Sequence, residues 1–455
     1  MKTVCIIGGG FSGTITALQL LRKSTDIKII LVNSGYPVFK GVAFSTKKQE
    51  HLLNVPAGRM SAFPDKPDHF VNWLLTQPEF KDEAFENLKK EFIPRSFYGD
   101  YLKEISSICL NHPQVSIIHD KALNIEKAHD KYLITIDNHP GIQCEYVVLA
   151  MGNYSPAPPK GIDEAVLRSS HYFESPWSDS YLEGLKPTEN ILLMGSGLSM
   201  IDCVLSLISL KFTGKIYSIS PRGYFPQGNI TTPVTYPDFY SEVKDKSLLE
   251  VFRIIKNHIT EGKKNAMAWQ AIIDSFRPYA KETWLRLSAK DKRQFISHLR
   301  HIWGVARHRL PTGIDLKMKD LIESGQLEVF GGRLQFVAIV ENGFEVSVKK
   351  RSDQQLETFF VSRIVNCTGP QINFNEINDV FIGNLLQNNI ISANDLKMGI
   401  RCFPDGRVLN KEGEHVKNVY AVGSLLREVL WETTAVPELR VNAENVANQI
   451  VESIN

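Results

Sequence analysis

The chain has 455 residues, 43% of them hydrophobic and 22% charged, enough for two or three domains with separate cores. Its formal net charge of +2 offers no footprint for nucleic acid or for an acidic membrane surface. No apolar run is long enough to span a bilayer. The run behind Met1-Lys2-Thr3 is cut short by glycines and lacks a cleavage site, so no membrane association and a cytoplasmic location are expected.

Residues 3–7 read as a buried strand, and Gly8-Gly9-Gly10-Phe11-Ser12-Gly13 follow at once. Residues 12–22 carry helical apolar spacing at Ile15, Leu18 and Leu21, and 27–32 read as the next strand. This strand–turn–helix–strand unit is the arrangement that seats a dinucleotide pyrophosphate. In it Gly8 permits the tight bend, Gly10 lets the backbone approach the pyrophosphate, and Gly13 allows helix and strand to pack closely. The acid usually found 20 residues beyond Gly13 is replaced by Asn33, an uncharged partner for ribose hydroxyls. The stretch from Gly41 to Phe63 is neither helix nor strand in pattern. It is expected to lie along a cofactor, with Arg59 meeting a pyrophosphate or a substrate anion and Met60 beside it. Further strands are expected at 131–137 and 145–150, the latter running into Met151-Gly152, and Pro156, Pro158 and Pro159 mark a crossover between domains.

A second unit of the same kind begins at strand 191–194, turns through Gly195-Ser196-Gly197, enters a helix at Leu198-Ser199 and returns as strand 215–219. Arg222, just past that strand, stands where a 2′-phosphate would be read. After Pro233 the texture changes, and about 240–325 reads as a helical insertion. It offers His298, His301, Trp303, Arg307, His308 and Arg309. No carboxylate lies at metal-ligand spacing there, so no metal site is expected. Strand patterns resume at 327–330, 334–340, 343–349 and 362–367. The chain closes with an apolar strand ending Ala421-Val422-Gly423-Ser424 and a helix over 437–453. The fold class is therefore α/β, with two Rossmann-like domains. The first, 1–155 and 327–455, is split by the second, 160–326, which carries the insertion.

Two such turns imply two dinucleotides, most economically a flavin at the first and a nicotinamide donor at the second. The six cysteines form no CxxC pair, which fits reduced thiols and speaks against a disulfide reductase. No GxSxG elbow or Walker A loop is present.

The block GVAFSTKKQEHLLNVPAGRMSAFPDKPDHF, the two glycine turns and the run from Leu430 to Arg440 resemble the bacterial FAD-NAD(P)-binding family. That family includes an FAD-dependent urate hydroxylase and is a distant relative of the flavin N-hydroxylases. The resemblance implies that Gly8, Gly10, Phe11, Ser12 and Gly13 bind FAD and that Gly195 and Gly197 face NAD(P). It further implies an FAD-dependent monooxygenase, with NADPH or NADH reducing FAD and molecular oxygen hydroxylating a small-molecule substrate. A reductase or dehydrogenase passing electrons to another acceptor is the alternative, as is a non-catalytic FAD-binding protein. Ser424 stands where many flavoproteins place an aspartate. Glu432, Thr433, His298 and Arg309 are the candidates for a catalytic role.

Overall fold

The computed structural model describes residues 1–230 and 234–454, so Pro233, where the sequence texture changes, lies outside the described residues. The chain divides into two compact units, one made of residues 1–154 and 372–455 and the other of 155–371.

In chain order, the first unit begins with β1 (Lys2–Ile7), β2 (Ile27–Val32), β3 (Val115–Ile118), β4 (Ala122–Ala128), β5 (Lys131–Ile136), β6 (His139–Cys144) and β7 (Tyr146–Leu149). The second unit supplies β8 (Tyr172–Phe173), β9 (Ile191–Met194), β10 (Ile216–Ser220), β11 (Leu327–Val340), β12 (Gly343–Lys350), β13 (Leu356–Val361) and β14 (Arg363–Asn366). The chain then returns to the first unit with β15 (Arg407–Leu409) and β16 (His415–Ala421).

The first unit holds a six-stranded sheet in the order β15-β16-β7-β1-β2-β3, parallel except for β15, and an antiparallel sheet β4-β5-β6. The central strand is apolar on both faces because both are covered. Val4 and Ile6 pack with Ile15 and Leu18 of the helix Phe11–Lys23 and with Val446 and Ile450 of the helix Val436–Ile454. Cys5 and Ile7 face the other way, toward Ile125, Ile134 and Cys144 of the small sheet. The returning segment therefore supplies both a strand and a covering helix.

The second unit holds a seven-stranded sheet in the order β13-β12-β11-β10-β9-β14-β8, parallel from β11 to β8 and ending in an antiparallel hairpin pair at β12 and β13. Its helical insertion includes Leu248–Lys264, Trp269–Phe276, Ala280–Arg286, Arg300–Arg307 and Thr312–Glu323. These helices gather around Phe239, Val243, Val251, Ile272 and Phe276. Ser247 starts Leu248–Lys264 with a reciprocal capping box, its N–H donating to Glu250 at 2.9 Å.

The domain boundary differs from the sequence expectation. Residues 327–371, expected in the first domain, belong to the second unit, and the first resumes at Ile372. The reason is strand pairing. β11 runs parallel to β10 with Ile216 opposite Leu327, and β14 runs parallel to β9 with Arg363 opposite Ile191. An apolar strand reads alike whichever sheet receives it, so only pairing reveals the boundary. The strands expected at 327–330 and 334–340 are one strand, with an irregularity of register between Leu334 and Phe336.

Candidate functional site

The first glycine turn is held by three close approaches. Gly8 has φ +110°, and a Cβ there would stand 2.3 Å from the Ala150 carbonyl oxygen. A Cβ on Gly13 would stand 2.0 Å from the Gly8 carbonyl oxygen, so helix and turn meet only because residue 13 is glycine. Gly9 is pinned from two sides: Phe39 N–H donates to its carbonyl at 2.6 Å, and its own N–H donates to Asn33 Oδ1 at 3.1 Å. Asn33 Nδ2 in turn donates to the Tyr36 carbonyl at 3.0 Å. Asn33, expected at a ribose, is buried behind the turn with its amide engaged at both ends by main chain.

In front of the turn lies a cavity of about 310 Å³. Gly10, Phe11 and Ser12 contribute to it from the turn, Val42, Phe44, Leu53 and Met60 from the loops after β2, and Ser424, Thr433 and Leu439 from the returning segment. A Cβ on Gly10 would make only an ordinary contact, 3.5 Å from Gly41 Cα, so its openness serves the cavity rather than the fold. Two cations line the wall, and no carboxylate does among its described residues. Lys40 Nζ lies 2.7 Å from Asp100 Oδ1, and Arg95 Nε donates to the Leu52 carbonyl at 3.0 Å. Lys40 and Arg95 were not among the residues singled out in the sequence, whereas Phe44 lies in the stretch expected along a cofactor. The signal for them was the glycine at 41, whose φ of +62° folds the loop back over Gly10.

The remaining candidates in this unit divide into wall and frame. Gly152, at φ +72° with open space around it, accepts a 2.5 Å hydrogen bond from Ser424 Oγ. Gly423, at φ +77°, is framework: a Cβ there would stand 2.9 Å from Ser12 Oγ. Thr433 is fully buried, donates to the Gly423 carbonyl at 3.1 Å and accepts from Asn442 Nδ2 at 2.9 Å, so it ties the returning segment together. Met151 is half-buried, with Tyr154 O–H 3.7 Å from its sulfur. Arg59 is exposed, and neither it nor Glu432 lines the cavity.

The second turn repeats the first in geometry. Gly195 has φ +109° and a Cβ there would stand 2.4 Å from the Cys367 carbonyl oxygen, matching Gly8 and Ala150. Gly195 N–H donates to Ile219 O at 2.7 Å as Gly8 N–H donates to Val32 O at 2.8 Å. Gly197 precedes its helix at φ −92°, ψ −165°, and Gly10 precedes its own at −77°, −168°. Neither helix has a side-chain cap or an acid in its first turn, so the first N–H groups, those of Leu198 and Ser199 included, point outward undonated to side chains. Nothing lies within 4 Å of a Cβ on Gly197. The position of Asn33 is taken by Ser220, whose hydroxyl lies 2.8 Å from Ser196 Oγ, itself a donor to the Tyr224 carbonyl.

Two candidates in the second unit have other partners than a ligand. Both terminal nitrogens of Arg222 donate at 3.0 Å, one to the His298 carbonyl and one to the Ser297 carbonyl. Arg222 and His298 are thus brought together through main chain, while the His298 side chain is exposed. Arg309 is 7% exposed and is held by Asp274 and, at 3.1 Å, by Asn229 Oδ1. That arrangement is a clamp within the insertion, and the expectation of a catalytic Arg309 finds no support in it. All six cysteines are buried as free thiols. Burial, then Cys203 at 3.7 Å, raise the Cys367 thiol well above its usual value, so it stays protonated.

Residues 5–154 match the model of the FAD-NAD(P)-binding family. Over the whole of both chains, the structure resembles the ornithine N-hydroxylase KtzI of Kutzneria sp. 744, with TM-score 0.70 and 14% identity. It likewise resembles the L-lysine 6-monooxygenase of Pseudomonas syringae, with TM-score 0.70 and 15% identity over both full chains. The bacillithiol disulfide reductase Bdr of Staphylococcus aureus follows at TM-score 0.56 and 13% identity, again over both full chains. At these identities the likeness shows the fold alone. A stretch of 227 residues is 21% identical to the Escherichia coli uncharacterized protein YdhS, covering 46% of this chain and 39% of that protein.

Proposed function

We propose, from a first segment that matches the FAD-NAD(P)-binding family, that the protein is an FAD-dependent monooxygenase reduced by NADPH or NADH. The observation that carries this reading is the duplicated turn, with Gly8 and Gly195 in the same left-handed conformation against a carbonyl, and Gly10 and Gly197 each opening a helix.

The residues of the first cavity fit a flavin dinucleotide. The Gly10-Phe11-Ser12 backbone would hold its pyrophosphate at a helix N-terminus, with Lys40 and Arg95 as counter-charges on a wall without carboxylates. Phe11, Phe44, Leu53 and Val55 keep water from the cavity, and Ser424 fixes the Gly152 carbonyl beside it. Gly195, Gly197, Leu198 and Ser199 would take the nicotinamide dinucleotide in the same manner. When bound, FAD accepts hydride from the nicotinamide and supplies the reducing power that activates oxygen. Buried free thiols suit a reducing compartment, which supports a cytoplasmic location. No helix among the described residues is long and apolar enough to cross a membrane. KtzI and the P. syringae enzyme act on ornithine and lysine, so small amines are the first substrate class to try.

The test is anaerobic bleaching of the flavin by each nicotinamide, then oxygen uptake with a library of small amines. Product in proportion to oxygen consumed supports the monooxygenase. Bleaching with no product from any substrate favours the reductase alternative, and failure of either nicotinamide to bleach the flavin favours a non-catalytic role.

A further inference from the structure

The strands β11, β12 and β13 of the second unit turn one face to the core and one to solvent. On β12, Phe344, Val346 and Val348 are fully buried, and the residues that alternate with them, Glu345, Ser347 and Lys349, point the other way. Residues directly across the ladder share that outer face. Phe336 of β11 stands opposite Ser347, Phe360 of β13 opposite Glu345, and Leu356 of β13 opposite Lys349. Thr358 Oγ1 of β13 lies 3.3 Å from Ser347 Oγ, which places both hydroxyls on the same side. Phe336, Phe360 and Leu356 are 49%, 44% and 66% exposed, so three large apolar side chains face water together.

The charges on the two faces differ. On the inner side Lys350 pairs with Glu357, and Lys215 pairs with Glu328 at 2.8 Å. On the outer side Glu345 and Lys349 have no ion-pair partner among the described residues, and they stand two residues to either side of Ser347. A two-fold axis lying across the strands above Ser347 reverses the strand direction and keeps the strand order. It sets Glu345 against Lys349 of a second copy, and Lys349 against that copy's Glu345. Phe336 then meets its own equivalent, and Phe360 meets Leu356. Arg333, exposed and opposite Lys349 on β11, adds to the positive end of the patch. A foreign partner requires no such symmetry of charge, whereas a two-fold pair of identical surfaces does.

We propose that the outer face of β11, β12 and β13 is a self-association surface, on which two copies of the chain pack sheet to sheet with Glu345 and Lys349 in reciprocal ion pairs. Aligned sheets pack about 10 Å apart, which lets side chains of this length meet across the gap. Three short strands make a small interface, so the association is weak and depends on concentration.

The test is sedimentation velocity over a range of protein concentration, wild type against Glu345→Lys and Lys349→Glu. The wild type should pass from monomer to dimer as concentration rises. Each reversal should weaken the dimer at least tenfold, because it sets like charges opposite each other twice. An equimolar mixture of the two variants should dimerise again, since every facing pair is then of opposite sign. Circular dichroism checks that both variants are folded. A wild type that stays monomeric, a dimer that tolerates both reversals, or a mixture that stays monomeric overturns the proposal.

Discussion

Asn33 holds Gly9: its side-chain oxygen accepts the Gly9 N–H at 3.1 Å while its nitrogen donates to Tyr36. This pair sets the back of the first glycine turn, and the residue that sequence logic assigns to a ribose is spent on the loop itself. Asn33→Asp keeps the acceptor but removes the donor, and it buries a charge beside the Tyr36 carbonyl. The expected result is a loss of about 1–3 kcal/mol in stability with weaker FAD retention. Denaturant midpoints and FAD titration check it, and tighter FAD binding in the variant would restore the ribose role.

The glycines separate into two classes that substitution distinguishes. Gly13→Ala and Gly195→Ala should fail to fold, because each Cβ would meet a carbonyl oxygen, at 2.0 and 2.4 Å. Gly10→Val and Gly197→Val should fold. Gly10→Val should lose FAD, whereas Gly197→Val should stay yellow, bleach with dithionite and resist both nicotinamides. Normal reduction of Gly197→Val would sink the two-site reading.

Lys40 carries a prediction about charge. Lys40→Met removes one of the two cations on the cavity wall and should weaken FAD binding roughly tenfold, about 1.4 kcal/mol. The difference from wild type should shrink as salt rises. Unchanged FAD affinity at low salt would show that the pyrophosphate lies away from Lys40.

His69 gives a pH dependence with a definite sign. Its Nδ1 lies 2.9 Å from Tyr101 O–H. Burial, then Lys66 and Arg22, hold its pKa below the usual histidine value, against an opposing pull from Asp65. A folded pKa below the unfolded one, near 6.5, means that the unfolded chain binds the proton first. The contribution of His69 to stability is therefore complete above that value and is lost as pH falls toward the folded pKa. Thermal midpoints of wild type and His69→Gln should converge between about pH 7 and pH 5. A gap that stays constant across that window would contradict the assignment.

The turns were legible because their demands are local: a positive φ and a clash with a carbonyl oxygen leave glycine alone at Gly8 and Gly195. The first three elements, β1, the helix Phe11–Lys23 and β2, fall within a residue of their expected bounds for the same reason. What escaped was long-range. β4 and β6 belong to a small sheet whose residues alternate weakly, with burial only at Ile125, Ile142 and Cys144. Lys40 and Arg95 reach the cavity from loop and helix positions that no periodicity marks. Arg222 stood where expected after its strand, but its direction depends on a turn 75 residues away.

The split of the first unit sets an order of events on the ribosome. Residues 155–371 are contiguous and can close their sheet while the chain is still growing. The edge of β7 stays open until Val419, Tyr420 and Ala421 emerge to pair with it, and the Val4 and Ile6 face of β1 is covered by the helix Phe11–Lys23 without its second partner until Val446 and Ile450 arrive. Ser424, Thr433 and Leu439 complete the cavity wall from the same late stretch. Closure of the first cavity thereby waits on this late stretch, and a nascent chain stalled before residue 419 carries a contiguous second unit and an unsealed first one.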